Sequence, residues 1–334
     1  MYGPCSSETD SELTEVTSLP RRVAFIYNPA SGQVSARRSA AVREAISVFR
    51  ERGLHVESFE TDGPGSAATH AQNCAAAGFD TVIACGGDGT VHEVLQSLAG
   101  TSVALGVLPL GTANALAANL GLTASAAEVA RTLLQASPVR LPVGRIQFQD
   151  PASQPASRYF VVAAGVGADA LLMARLDSRL KRRIGYLLYV IEAIRLWATH
   201  PFPLFQAELV QNGNGSRHHI EISQILAVRV RSFGGVLREL APGATIHDSS
   251  LRLIAFRTRS RLQYLRFLIA VVLGRPTYDD IIQLHESEHV VCRATRDADA
   301  LYVEADGEVL GHLPVKISVV PDALTLLVPQ GAEP

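Results

Sequence analysis

The sequence predicts an α/β protein in two parts, an N-terminal doubly wound parallel-sheet domain and a C-terminal mostly antiparallel β-sandwich domain. Three observations lead there. Over about 120 residues, short apolar runs alternate with helix-periodic segments, as in a parallel sheet covered on both faces. Glycine-rich turns close three of those runs, at the strand ends where such sheets hold ligands. Beyond residue 140 or so the pattern changes to alternating strand-like runs with Asn-Gly and Asp-Gly turn signals.

The elements follow in order. "RRVAFIYNP" reads as a buried strand, Val23 to Tyr27, stopped at Asn28-Pro29 because proline lacks an N–H donor and forces extension before it. "SARRSAAVREAISVFRERG" is a helix ending at Gly53. Strand "LHVESFE", helix "GSAATHAQNCAAAG" and strand "DTVIAC" come next, then "GGDG" leads into helix "TVHEVLQSLAG". Strand "SVALGVLP" and helix "TANALAANLG" complete the alternating part. The second part contains the strand-like runs "VGRIQFQ", "RYFVVAAGVG", "SSLRLIAFR", "EHVVCRA" and "ALYVEADGEV", with helical stretches at 172–197 and 260–273. The expected division is a disordered tail at 1–20, an α/β domain at 21–142 and a β-rich domain at 143–316. The segment 317–334 pairs within the second domain or returns toward the first.

Composition narrows the function. Apolar residues make up 47% and charged residues 19%, with a formal net charge of −2, so the chain reads as globular and carries no global basic field for nucleic acid. Lys181 and Lys316 are the only lysines; an anion site here must therefore use backbone N–H groups or arginine. Four scattered cysteines without a CxxC pair argue for free thiols in a reducing compartment. The start of the chain has acidic residues and no apolar core, so no signal peptide is expected, and the apolar runs are too short or too interrupted to span a bilayer. The expected setting is cytoplasmic.

The run "CGGDGTVHEV" sets Gly86, Gly87 and Gly89 at a strand-to-helix turn, where bare N–H groups and the helix dipole favour an anion. Asp88 suits a phosphate site only alongside a divalent cation or a sugar hydroxyl. Alone, the run also fits a tight turn with aspartate as helix cap, the lesser of the two readings. No Walker A sequence is present, and "GVGADA" lacks the third glycine of a dinucleotide fingerprint.

"NPASG", "GGDGTVHEVLQSL" and "LGVLPLGTANALA" together resemble the diacylglycerol kinase catalytic-domain superfamily, which includes bacterial lipid kinases, sphingosine kinases and ceramide kinases. The resemblance continues through "FVVAAGVGADA", "FGGVLRELAPGATIHDSSLRLI" and "VEADGEVLGHLPVKISVVPDALTLLVP", so it covers nearly the whole chain. It implies ATP bound between the domains, lined by Asn28, Gly32, Thr61, the run Gly86, Gly87, Asp88, Gly89, Thr90, Val91 and His92, and Thr112. It implies that Asp306 and Glu308 form the catalytic acid group that accepts the lipid hydroxyl's proton, and that Asp88 organises Mg2+–ATP. It implies a structural Mg2+ site at Asp248 with carbonyls near Thr245 and Ser250, and, by likeness to sphingosine kinases, Asp169 at the lipid head.

Three positions depart from the bacterial pattern: Ala115 follows Asn114 where Asp is common, Pro142 stands in place of Asp, and Ser249 replaces Gly after Asp248. "NALA" also occurs in sphingosine kinases. The basic residues Arg175, Arg179, Lys181, Arg182 and Arg183 beside an apolar stretch fit either an element at an anionic membrane surface or a solvated helix face. The reading that results is an ATP- and Mg2+-dependent kinase acting on a hydroxyl of diacylglycerol or a ceramide or sphingoid lipid, peripheral at the inner membrane surface. A nucleotide- or lipid-binding protein without catalysis and a soluble-substrate kinase of the NAD kinase type are the alternatives. Oligomeric state is not legible.

Overall fold

The computed structural model describes residues 22–29, 33–150, 152–175, 186–210, 216–233, 240–295 and 301–332. The expected tail at 1–20, Gly32, and Arg179, Lys181, Arg182 and Arg183 lie outside the described residues.

The first part has the predicted alternation. Strands β1 (Arg22–Tyr27), β2 (His55–Glu60), β3 (Thr81–Gly86) and β4 (Ala104–Pro109) lie parallel in the order β2-β1-β3-β4. Helices α1 (Gln33–Glu51), α2 (Ser66–Ala76) and α3 (Asp88–Leu98) connect them. The burial of β1, β3 and β4 is nearly continuous, as expected of strands covered on both faces. Helix α4 (Ala115–Asn119) is short. It is followed by α5 (Ala126–Gln135), which the sequence reading did not anticipate. Its signal is a capping box in which Ser125 and Glu128 satisfy each other's backbone N–H groups.

The second part is antiparallel. Its strands are β5 (Ser137–Gln149), β6 (Pro155–Phe160), β7 (Ala163–Val166), β8 (Phe205–Val210), β9 (Arg217–Ile222), β10 (Gln224–Val228), β11 (Leu251–Phe256), β12 (Ile282–Ser287), β13 (His289–Arg293), β14 (Tyr302–Ala305) and β15 (Glu308–Val328). One leaf runs β12-β11-β10-β7-β14-β15, and β9-β8-β13 joins β15 from another side. Phe148, Phe160, Phe205, Val290 and Ile317 fill the core of this part. The predicted stretch 172–197 is represented by α6 (Ala168–Arg175) and α7 (Tyr186–Thr199), and the stretch 260–273 by α8 (Arg261–Val272).

The two parts are joined through strands. β5 pairs antiparallel with β15 along most of its length, and Thr325 and Leu326 of β15 pair parallel with Ala104 and Leu105 of β4. Residues 142 and 316 therefore both fall inside continuous strands. The predicted fold class, a parallel sheet plus an antiparallel sandwich, is the one observed.

Candidate functional site

The parallel register puts the ends of β1 to β4 on one edge. Tyr27 is level with Glu60 and Cys85, and Gly86 with Pro109, so Asn28, Thr61, the 86–90 turn and the 110–114 turn share that edge. Two of these turns are pressed together, main chain against main chain. A Cβ on Gly111 would collide with the Cα of Gly87, and a Cβ on Gly87 would lie 3.3 Å from the Cα of Gly111. Glycine is needed at 111, where any Cβ would meet main chain, and a Cβ at 87 would be a tight fit. The Leu110 N–H donates to the Gly86 carbonyl at 2.9 Å, which fixes the approach.

Asp88 locks the pair. Its Oδ1 accepts the Ala115 N–H at 2.7 Å and its Oδ2 the Asn114 N–H at 3.0 Å. It thus caps the start of α4 from the first turn of α3, a cross-cap between two separate segments. Asn114, at φ 50°, folds its own amide back onto Gly111 through two 3.0 Å bonds. Burial raises the Asp88 pKa, opposed by those backbone donors. Among the predicted nucleotide residues, Gly89 and Thr112 are exposed, as is Asn28, whereas Thr61, Val91 and His92 are buried. The Thr61 N–H donates to the Tyr27 carbonyl at 2.9 Å. Beside Thr61 opens a cleft lined by Asp62, Gly65, Ser66, Thr69 and His70.

The acid turn lies against α3. Asp306 and Gly307 form the β14–β15 hairpin turn, both at positive φ (48° and 84°). The Asp306 side chain is 3% exposed and accepts three backbone N–H groups, from Val161 at 3.0 Å, Val162 at 2.9 Å and Ala163 at 3.1 Å. Its Oδ2 also meets Nδ1 of His92 at 3.3 Å. Glu308, by contrast, keeps a side chain 44% exposed, with Oε2 3.7 Å from the other ring nitrogen of His92. Burial raises the Glu308 pKa, and the neighbouring His92 opposes that shift. For His92 itself, burial acts to lower the pKa, but the bond to Asp306 and the charges of Asp306 and Glu308 outweigh it and raise the value. The sequence reading places His92 among the nucleotide residues; its ring lies between the two acids. Gln96, one turn along α3, clamps Tyr159 by donating to its carbonyl at 2.8 Å and accepting its N–H at 2.9 Å. The helix that begins at the glycine turn therefore holds the acid turn with its side chains.

The other predicted positions are less open. Both Asp169 carboxylate oxygens are buried at the first turn of α6, beside the N–H groups of Asp169 and Ala170, and Oδ2 crowds the space above Gly165 together with Glu304. Burial pushes the Asp169 pKa up to about 6. Glu304 in turn accepts the Gly307 N–H at 2.8 Å, behind the acid turn. At the predicted metal position, the Asp248 carboxylate closes its own turn, accepting the N–H of Thr245 at 3.0 Å and its hydroxyl at 3.3 Å. The Ser250 hydroxyl donates to Glu286 at 2.8 Å. Among the described residues no cluster of three or more His, Cys, Asp or Glu side chains is arranged to hold a metal. Glu304, Gln96 and Arg229 were not singled out from the sequence.

Residues 22–146 match the profile of the diacylglycerol kinase catalytic domain, and residues 160–328 that of the YegS C-terminal NAD kinase beta sandwich-like domain. A Chromohalobacter salexigens protein named "Probable lipid kinase YegS-like" is 31% identical over 87% of this chain and 89% of its own. Proteins named diacylglycerol kinase are 27% identical in Bacillus subtilis, covering 88% of this chain and 92% of theirs. In Mycobacterium tuberculosis the corresponding values are 31%, 92% and 96%. A Bacillus anthracis structure described as a diacylglycerol kinase shares the fold with a TM-score of 0.66 at 17% identity, covering 94% of this chain and 99% of that one.

Proposed function

Since this chain belongs to the diacylglycerol kinase catalytic-domain family, we propose that it transfers the γ-phosphate of ATP to the free hydroxyl of a neutral glycerolipid of the diacylglycerol type. The observation that carries this is the shared helix α3. Its N-terminus opens at the glycine turn, and its His92 side chain stands between Asp306 and Glu308. Phosphoryl transfer asks the protein mainly for positioning and for charge neutralisation. The N–H groups of Gly87 to Thr90 and the α3 dipole supply the phosphate cradle. Mg2+ bound to the nucleotide would offset the charge of the phosphate oxygens. Glu308, exposed beside that cradle, accepts the hydroxyl proton as the phosphate is transferred. Asp306 serves to position it.

The acceptor is read as neutral because Asp169, the acid that likeness to sphingosine kinases suggests for the lipid head, is enclosed against Glu304 and Gly165. Incubation with radiolabelled ATP, Mg2+ and separate diacylglycerol, ceramide and sphingosine micelles tests the proposal. Label in phosphatidic acid is expected; label confined to a sphingoid base, or to no lipid, would refute it. Asp88→Ala is expected to raise the KM for ATP and to cost about 1–2 kcal/mol in urea unfolding, because two N–H groups at the start of α4 lose their acceptor. An unchanged midpoint and KM would remove Asp88 from its cross-capping role.

Access to such an acceptor requires a membrane surface, and α8 has the form of one. Tyr264, Phe267 and Val271 face the protein, yet Leu262 (71%), Leu273 (70%), Ile269 and Val272 are exposed on the opposite side. Exposed Arg259, Arg261, Arg266 and Arg275 surround them, a cationic rim suited to anionic headgroups. No helix among the described residues is long and apolar enough to cross a membrane. Leu262→Glu/Leu273→Glu is expected to reduce flotation with phosphatidylcholine–phosphatidylglycerol vesicles about tenfold or more, at unchanged Tm. Unaltered flotation, or self-association through this face seen by sedimentation, would overturn the assignment.

A further inference from the structure

We propose that Arg229 is a built-in cation at the 245–250 turn, supplying the positive charge that a structural divalent ion would bring, so that this turn is independent of metal. The carbonyl oxygens of the turn point inward, as the ligands of a hard cation do. The centre they converge on is a side chain. One terminal nitrogen of Arg229 donates to the carbonyls of Ile246 at 3.1 Å, Asp248 at 3.0 Å and Pro142 at 3.1 Å, and the other approaches the Ser250 carbonyl at 3.5 Å. Magnesium needs its oxygens at about 2.0–2.1 Å and calcium at about 2.3–2.6 Å. The oxygens around Arg229 are held near guanidinium distance. An ion could take them over only by expelling the arginine, because the two positive charges would compete for the same dipoles.

The surroundings fit a permanent occupant. Arg229 is 1% exposed, on a chain segment flanked by buried Val228 and Val230, and it lines a small internal cavity with Leu116, Val143, Val161 and Leu324. Burial lowers its pKa to about 10, with Asp248 and Asp306 acting in the opposite direction, so it stays charged at neutral pH. A buried charge is tolerable only when it is hydrogen-bonded, and four carbonyls gather around its two terminal nitrogens. Two of the departing positions lie in this arrangement through their main chain. Pro142 contributes one carbonyl, and Ser249 lies between the two residues, Asp248 and Ser250, that contribute others. The Asp248 carboxylate closes the turn onto Thr245.

Arg229 also reaches the acid turn. Its backbone N–H donates to the Val162 carbonyl at 2.9 Å, and the Val162 N–H donates to Asp306 at 2.9 Å. It is thus a positioning residue that ties the 245–250 turn, β5 and the strand held by Asp306 into one unit.

The test uses full-length protein without nucleotide or lipid, so its outcome is separate from whether the chain is a kinase. After chelation with EDTA, the protein is titrated with MgCl2 and with CaCl2, followed by thermal unfolding and calorimetry. Parental Tm is expected to stay within about 1 °C throughout, with no stoichiometric heat of binding. A rise of several degrees, or one ion bound per chain, would overturn the proposal. Arg229→Lys keeps the charge but loses the planar fork; it is expected to lower Tm by a few degrees and to remain insensitive to metal. Arg229→Met leaves the carbonyls facing an apolar chain and is expected to lower Tm on the order of 5–10 °C. A Met variant as stable as the parent would likewise refute the role.

Discussion

Replacing Glu308 with glutamine is expected to lower kcat by about 10²–10⁴-fold while leaving Tm and the KM for ATP close to parental values. The side chain is 44% exposed, and its packing contribution to the fold is accordingly small. Its Oε1 lies 3.9 Å from the position of a Cβ on Gly89, next to the phosphate turn. Glutamine preserves that shape and removes the proton acceptor. The pH profile adds a second signature. Burial raises the Glu308 pKa, and only the ionised form accepts a proton. The parental kcat/KM should therefore climb as pH rises through that elevated value and level off above it. The residual activity of Glu308→Gln should lack this limb. A variant within tenfold of the parent, or one with the same acidic limb, would assign the proton transfer to another group.

The legible part of this protein was the part written locally. Apolar period and glycine placement announced β1 to β4 and their turns, because a parallel sheet marks itself with continuous apolar runs. The helix α5 was equally local, with Ser125 and Glu128 as its cap, and passed unnoticed in an alanine-rich stretch. Roles that depend on distant partners were not legible. "ADGE" named both acids, but their different duties arise because the backbone at Val161 to Ala163, some 145 residues earlier, is folded onto Asp306 and not onto Glu308. Asp88 looked like a metal or sugar ligand; the N–H groups it holds lie 26 and 27 residues further on. Arg229 sits in "LAVRVR", where alternation alone cannot say whether the arginine faces solvent or a ring of carbonyls. Pairing across the sheet decides that.

Asp306→Ala should damage the fold severely, costing on the order of 3–5 kcal/mol in urea unfolding and abolishing turnover as a consequence. Three buried N–H groups would lose their acceptor, each worth about 1–3 kcal/mol when left unsatisfied, though not additively. Alanine also tolerates φ 48° less well than aspartate, whose short polar side chain favours left-handed turns. A further loss runs through His92. Its pKa is raised in the folded protein by Asp306, which gives stability that is complete below the ordinary value of 6.5 and is lost as pH rises through the elevated one. Removing Asp306 deletes much of that contribution, so the gap between parent and variant should be widest on the acid side and narrow above the folded pKa of His92. Unfolding curves measured across pH 5 to 8 or so would reveal it. Asp306→Asn should fall between the two, because one of its oxygens becomes an amide that confronts backbone donors. The contrast with Glu308 makes the pair decisive: an Asp306→Ala protein as stable as the parent but catalytically dead would make Asp306 the proton acceptor, and would reverse the division of labour at this turn.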